Sequence, residues 1–206
     1  MIVLDKSKIY GLILSAGLSG RMKKFKPLAD YKDHTFINSI INKLDHVCSR
    51  IIIVTGFRSD ELKAEIIENL RNTNQSEIIS KLNFTFNAAY QDGMFTSLKK
   101  GISNADDCDW ILYHFVDQPG LPDKFYPDFV RQVDSSYDWI QPVYNKQKGH
   151  PVLLGKNLLK LISEAPDDAS LRDISRDSMV KKKFWDCDYK EIFQDIDTDE
   201  DYEKLE

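Results

Sequence analysis

Four cations, Arg21, Lys23, Lys24 and Lys26, fall within six residues, directly after Gly17 and Gly20 and behind the apolar run 9–14. Glycine lacks a Cβ and tolerates φ > 0, so its backbone can approach an anion closely. An arginine grips phosphate oxygens in a fork, whereas lysines act as compact point charges. Together these residues describe a loop that wraps a triphosphate. Two plainer readings compete: a glycine-rich turn follows many strands in α/β proteins, and a K-K-x-K run suits a solvated surface. The segment also matches neither G-x-x-x-x-G-K-[ST] nor G-x-G-x-x-G.

A carboxylate suited to such a loop stands at Asp117, after the apolar run 110–116 and before Gln118-Pro119. Magnesium takes one or two protein carboxylates and completes its shell with water and phosphate oxygens. One strand-end aspartate facing a cationic loop fits that division; the alternative is an Asp117 that only caps a turn. The tail D-I-D-T-D-E-D-Y offers Asp195, Asp197, Asp199, Glu200 and Asp201. Helix capping by Thr198, with acids in the first turn, accounts for the last three. It leaves Asp195 and Asp197 open to a metal or a substrate. His150, between Gly149 and Pro151, suits a substrate contact and a turn residue equally. His34, His46 and His114 lack the spacing of a metal site, and Ser15 and Ser97 stand in no nucleophile motif, which disfavours acyl transfer through a triad.

These residues need elements to place them. The run 9–15 reads as a first strand behind a polar lead-in over 1–8. Phe36, Ile37, Ile40, Ile41 and Leu44 recur with helical spacing after Thr35, a suitable cap. R-I-I-I-V-T over 50–55 is a β-branched run of the kind covered on both faces. A helix over 60–71 with Leu62, Ile66, Ile67 and Leu70 on one face follows Gly56; 72–81 is polar and carries no assignment. A strand over 82–86, a short helix after Gly93 carrying Leu98 and Ile102, and a strand over 110–116 come next. The pattern then predicts a helix over 122–133 with proline in its first turn, a strand over 139–143, a cationic turn over 146–150 leading into 151–154, helices near 158–162 and 171–174, a strand over 180–185, and a short acidic helix in the tail. Such alternation predicts a three-layer α/β/α sandwich on a mostly parallel sheet with right-handed crossovers. Ligands of such sheets bind beyond the carboxyl ends of the strands. That rule gathers the Ser15 loop, the Gly93 turn and the Asp117 turn at one rim.

The chain has 206 residues, enough for a substantial core, and no Pro/Gly/Ser-rich linker divides it, so one domain over 1–206 is expected. A net charge of −5 without a basic stripe argues against nucleic-acid binding. Cys48, Cys108 and Cys187 lie far apart and odd in number, which suits a reducing cytoplasm and neither a disulfide nor a zinc site. The run 9–16 is too short to span a bilayer. Arg21 and the lysines follow it, not the small residues of a cleavage site, so neither export nor membrane insertion is expected.

Five segments in this order, L-S-A-G-L-S-G-R-M with K-P-L downstream, D-G-M-F-T-S-L-K-K-G-I, V-D-Q-P, G-H-P-V-L-L and D-I-D-T-D-E-D-Y, resemble the molybdopterin nucleotidyltransferases of the MobA-like superfamily. Within it they are most similar to the molybdenum cofactor cytidylyltransferase branch. The resemblance implies a glycosyltransferase-A type fold and an enzyme that uses an NTP, CTP in this branch, with Mg2+. It places Ser15, Ala16 and Gly17 against the base, Arg21 on the β and γ phosphates, Lys26 on the α-phosphate, and Asp117 on the metal, with Asp197 near it. Gly93, Met94 and Ser97 match the segment near the nucleotide, and Gly149, His150 and Pro151 the part facing a phosphorylated acceptor, molybdopterin. A molybdoenzyme receiving the product is the implied partner. Lys23 stands where the family often has glycine, and Phe95 and Thr96 where it has serines, so Phe95 is expected to reshape the base or acceptor pocket. The same chemistry on a sugar phosphate or methylerythritol-type phosphate, and a chaperone that binds the cofactor without turnover, are the competing readings.

Overall fold

The structure, a computed structural model, describes residues 8–18 and 20–205; the lead-in before Lys8 and the loop residue Ser19 lie outside them. The chain begins with strand β1 (Ile9–Ser15), followed by a 3-10 turn at Lys26–Leu28 and the small hairpin β2 (Asp30–Tyr31) and β3 (His34–Thr35). Helix α1 (Phe36–Asp45), β4 (Arg50–Thr55), α2 (Ser59–Asn72) and β5 (Leu82–Phe86) come next. They lead to α3 (Met94–Ile102), β6 (Trp110–Phe115) and α4 (Phe125–Val130). The remainder comprises β7 (Trp139–Tyr144), β8 (Gln147–Lys148), β9 (Val152–Gly155), α5 (Lys156–Glu164), α6 (Leu171–Ser175), β10 (Lys182–Asp186) and α7 (Asp199–Glu203).

The main sheet runs in the order β10-β7-β9-β6-β1-β4-β5, with β8 beside β7. Strands β6, β1, β4 and β5 are parallel neighbours, and β10 is parallel to β7. Strand β9 is antiparallel to both β6 and β7. A mostly parallel sheet with helices on both faces is therefore the architecture, as the alternation predicts.

The period of two along each strand builds two cores. Ile9 and Ile13 of β1, with Ile51 and Ile53 of β4, face α1, α2 and α4; Tyr10, Leu12 and Leu14, with Ile52 and Val54, face α3 and α5. Ile37, Ile40, Ile41 and Leu44 put one full stripe of α1 out of water, each such side chain contributing roughly 1.5–3 kcal/mol. Thr35 caps α1 by accepting from the Asn38 amide.

The predicted helix over 122–133 is shorter than its periodicity suggests. Only Phe125–Val130 is α-helical, and the flanks close by three-residue turns, Phe125 N to Pro122 O and Val133 N to Val130 O. Pro127 supplies no N–H, which removes one bond from the ladder. The unassigned stretch 72–81 contains a 3-10 helix, Ser76–Lys81, seated on α2 by Ile78. Among the described residues no helix is long and apolar enough to cross a membrane.

Candidate active site

Beyond the carboxyl ends of β1 and β6 lies a cleft of about 360 Å³. Strand β1 ends at Ser15, and the chain leaves the sheet through Ala16, Gly17 and Gly20, all on the cleft wall. Among the described residues, chain neighbours apart, no heavy atom lies within 4 Å of where a Cβ would stand on Gly17 or Gly20, so the backbone there is open to a ligand. Met94, Ser97 and Tyr90 make a second wall; Phe115, Val116 and Asp117 make a third.

The loop is anchored by apolar side chains on either side of its cations. Met22 packs with Phe36 and Ile196, while the Phe25 ring meets Phe57 edge-on at 5.8 Å. Between them the loop sorts its charges. Arg21 and Lys26 line the cleft. Lys24 instead binds Asp30 and the Tyr202 hydroxyl, and Lys23 lies beside Asp199. Neither lines the cleft, so of the four cations that the sequence offers for a triphosphate only two are placed to meet it.

Two carboxylates face those two cations. Lys26 Nζ stands 2.7 Å from Asp197 Oδ1 and 3.6 Å from Asp117 Oδ2, and Arg21 Nη2 is 2.9 Å from Asp197 Oδ2. The lysine side chain is only 11% exposed and the arginine 71%. Burial opposes the Asp197 charge, but the hydrogen bond and field of Lys26, aided by Arg21, prevail and hold its carboxyl below the usual range. Asp117 goes the other way: burial, reinforced by Asp195 and Asp197, outweighs Lys26 and raises its pKa.

Asp197 reaches this position because 192–197 is fastened across the Asp117 turn. The Ile196 amide donates to Asp117 O at 2.9 Å, and Gln118 Nε2 donates to Asp195 Oδ1 at 2.7 Å and to Ile192 O at 3.2 Å. The His150 amide donates to Ile192 O, and a Cβ on Gly149 would fall on the Ile192 side chain. Thr198 then caps α7 in a capping box with Asp201, the arrangement expected from its sequence. Gln118 carries no signal that sequence reasoning picked up; its place between Asp117 and proline was the available hint.

At the Gly93 turn the backbone adopts φ +121, which glycine tolerates and other residues rarely do. Buried Asn87, also unforeseen, holds the turn by donating to Thr96 Oγ1 at 3.0 Å and Ser97 Oγ at 2.9 Å. Gly93 itself is off the cleft wall, with Met94 and Ser97 on it. Phe95 is a correction: its ring is buried in the core with Leu98 and Ile102, not in the cleft. Side chains i and i+1 on a helix diverge, so Met94, 58% exposed, takes the cleft side.

Gly149, His150 and Pro151 also stand back from the cleft wall. The His150 ring lies 4.5 Å from Phe115, which does line it, and burial lowers the His150 pKa to about 4. The imidazole is neutral at neutral pH, and its Nδ1 is buried without a partner among the described residues.

Among the described residues no three or more His, Cys, Asp or Glu side chains assemble around a point. The donor set nevertheless fits a hard cation that shares its shell with phosphate. Asp117 Oδ1 is buried with no hydrogen-bond partner among the described residues, and Asp197 is the second carboxylate; magnesium asks a protein for one or two.

A model of the MobA-like NTP transferase domain matches residues 11–183. The molybdenum cofactor cytidylyltransferase of Escherichia coli is 31% identical over 95% of this chain and 94% of its own. A Bacillus cytotoxicus protein named probable molybdenum cofactor guanylyltransferase is 22% identical over 96% of each. In fold, a nucleotidyl transferase from Methanothermobacter superposes with a TM-score of 0.75 at 18% identity, over 96% of this chain and 95% of that one. The tail carboxylates lie past the matched span, but the loop, the Gly93 turn and Asp117 lie within it: the chain belongs to the MobA-like NTP transferase family and is a nucleotidyltransferase.

Proposed function

We propose that the chain, acting as one unit, transfers CMP from CTP to the terminal phosphate of molybdopterin and releases pyrophosphate. The observation that carries this reading is the convergence of Lys26, Arg21, Asp117 and Asp197 on one cleft at the strand ends. The name of the 31% identical relative supports cytidine and the cofactor; that of the 22% identical relative supports the same acceptor with a different base.

In the proposed reaction an acceptor phosphate oxygen attacks the α-phosphorus, the bond from that phosphorus to the bridging oxygen breaks, and pyrophosphate leaves with the electron pair. No general base is needed, because the attacking phosphate is already ionised; His150, neutral at neutral pH, faces the acceptor side without removing a proton. The chain's work is positioning and charge neutralisation. Lys26 leaves Asp197 and Asp117 for the α-phosphate, Arg21 turns from Asp197 to the departing phosphates, and Ser15, Ala16, Gly17, Met94 and Ser97 border the nucleoside. Asp117 and Asp197, released from Lys26, are the residues that would hold Mg2+. When bound, the cation supplies Lewis-acid neutralisation of phosphate charge.

The three cysteines are free thiols, which accords with a cytoplasmic site of action. A molybdoenzyme that takes up the dinucleotide cofactor is the partner this product requires. The test is pyrophosphate release by the purified chain with Mg2+, each NTP in turn, and molybdopterin as acceptor. Release with CTP and molybdopterin is the expected result. Release only with a sugar phosphate or methylerythritol phosphate replaces the acceptor, and NTP binding without release under any pairing replaces the enzyme with a carrier.

A further inference from the structure

The β2–β3 hairpin, α1 and the loop 120–123 border a second pocket, open to solvent on one side and of about 550 Å³, that shares no lining residue with the proposed nucleotide cleft. Its charge is not balanced. Lys32 Nζ and Lys43 Nζ stand 5.2 and 5.8 Å from the centroid of one ring, Tyr31. Each ammonium gains from the ring face, yet the two repel one another. Among the lining residues Asp123 is the one carboxylate. Burial brings the Lys43 pKa down to about 8, with Asp123 opposing the shift and Lys32 adding to it. One Lys43 proton is already given to Pro119 O, two residues past Asp117.

The polar lining is also incomplete. His34 Nδ1 and Asn42 Oδ1 are buried without partners among the described residues, and buried polar atoms of this kind ask for a ligand or water. An apolar ligand would strand both lysines, and a cation would add to the repulsion. A dianion relieves it and accepts from both ammonium groups.

We propose that this cavity binds a small molecule bearing a dianionic phosphate group, a phosphate monoester or pyrophosphate, gripped by Lys32 and Lys43. The site is separate from the proposed nucleotide cleft, so its test silences that cleft first. In the full chain carrying Arg21→Ala and Lys26→Ala, calorimetric titration with inorganic pyrophosphate and with glycerol 3-phosphate is expected to show one saturable site for at least one probe. Adding Lys43→Met, which keeps the stem, or Lys32→Ser, at an exposed hairpin turn that no core contact depends on, is expected to weaken that site about tenfold. Binding of the monoester alone marks a metabolite site, and binding of pyrophosphate alone marks a site for the reaction's product. Failure of both probes to bind the cleft-silenced chain overturns the proposal, as does affinity that neither lysine substitution changes.

Discussion

The loop 16–26 and the segment 192–197 meet at one point with opposite charge, and they are held there in different ways. The loop brings Arg21 and Lys26, whose polar contacts at the cleft are ion pairs. The segment brings Asp197 and is held by backbone and amide hydrogen bonds to Asp117, Gln118 and His150. The Arg21 pair, with its guanidinium 71% exposed, is of the weak, exchangeable kind worth about 0–1 kcal/mol; the Lys26 pairs are more buried, and their ammonium gives up a carboxylate only for another anion. Hydrogen bonds that satisfy buried groups are costly to break, about 1–3 kcal/mol each. The contrast fits the proposed reaction, in which the cations change partner and the carboxylates stay.

The strongest way to break this comparison is to remove either side of the central contact. Lys26→Ala or Asp117→Ala is expected to cut pyrophosphate release by ~10²–10³-fold while far-ultraviolet circular dichroism stays as in the parent. Turnover unchanged in both variants would sink the site assignment. A gentler cut is Asp197→Asn, which keeps the shape and removes the one carboxylate that both cations share, leaving Lys26 beside Asp117. It is expected to lower kcat about tenfold, and NTP affinity measured without a divalent cation is expected to rise, because Lys26 and Arg21 no longer surrender the Asp197 charge. A fall in that affinity would contradict the exchange. Gln118→Leu leaves every charge in place and loosens the segment. A three- to tenfold drop in kcat is expected (~1 kcal/mol per lost hydrogen bond), with KM for the NTP little changed; an effect confined to KM would mean that Gln118 acts on the nucleotide instead.

The smallest expected effect is on stability against pH. Asp197 has a folded pKa below its ordinary 3.8, so its contribution is present above that value and is lost as pH falls through the folded pKa. Asp117 and Asp195 are raised, chiefly by burial, so acidification relieves their cost instead. Thermal unfolding between pH 6 and pH 3 is therefore expected to fall less steeply in Asp197→Asn than in the parent, by about 2 °C. Parallel curves would show that Lys26 and Arg21 do not stabilise the folded carboxylate.

The features legible in the sequence were those governed by local periodicity and punctuation. The β-branched run of β4, the stripe of α1 with its Thr35 cap and the Thr198 cap of α7 all stand where spacing puts them. The strand-end rule likewise gathered Ser15 and Asp117 at one rim. Long-range electrostatics was not legible. Charge alone in K-K-F-K does not distinguish Lys26, which only the K-P-L resemblance singled out, from Lys23 and Lys24, which find Asp199, Asp30 and Tyr202 outside the cleft. Phe95 was misplaced for a related reason: a motif comparison aligns positions, whereas the 100° step between helix neighbours decides which one sees the ligand. The antiparallel insertion of β9 between β6 and β7 was equally hidden, since V-L-L-G reads the same in either direction of pairing.

The Lys26 to Asp197 contact joins residues 171 positions apart in the chain. A growing polypeptide delivers its amino-terminal part first, so the loop 16–26 is made long before Asp197. During synthesis the sheet can assemble around β1, β4 and β6 while Lys26 still lacks Asp197. On the proposed reading, nucleotide chemistry at this cleft waits for the segment 192–197 to emerge and lock across the Asp117 turn, where it brings both Asp197 and the buried Ile192 and Ile196.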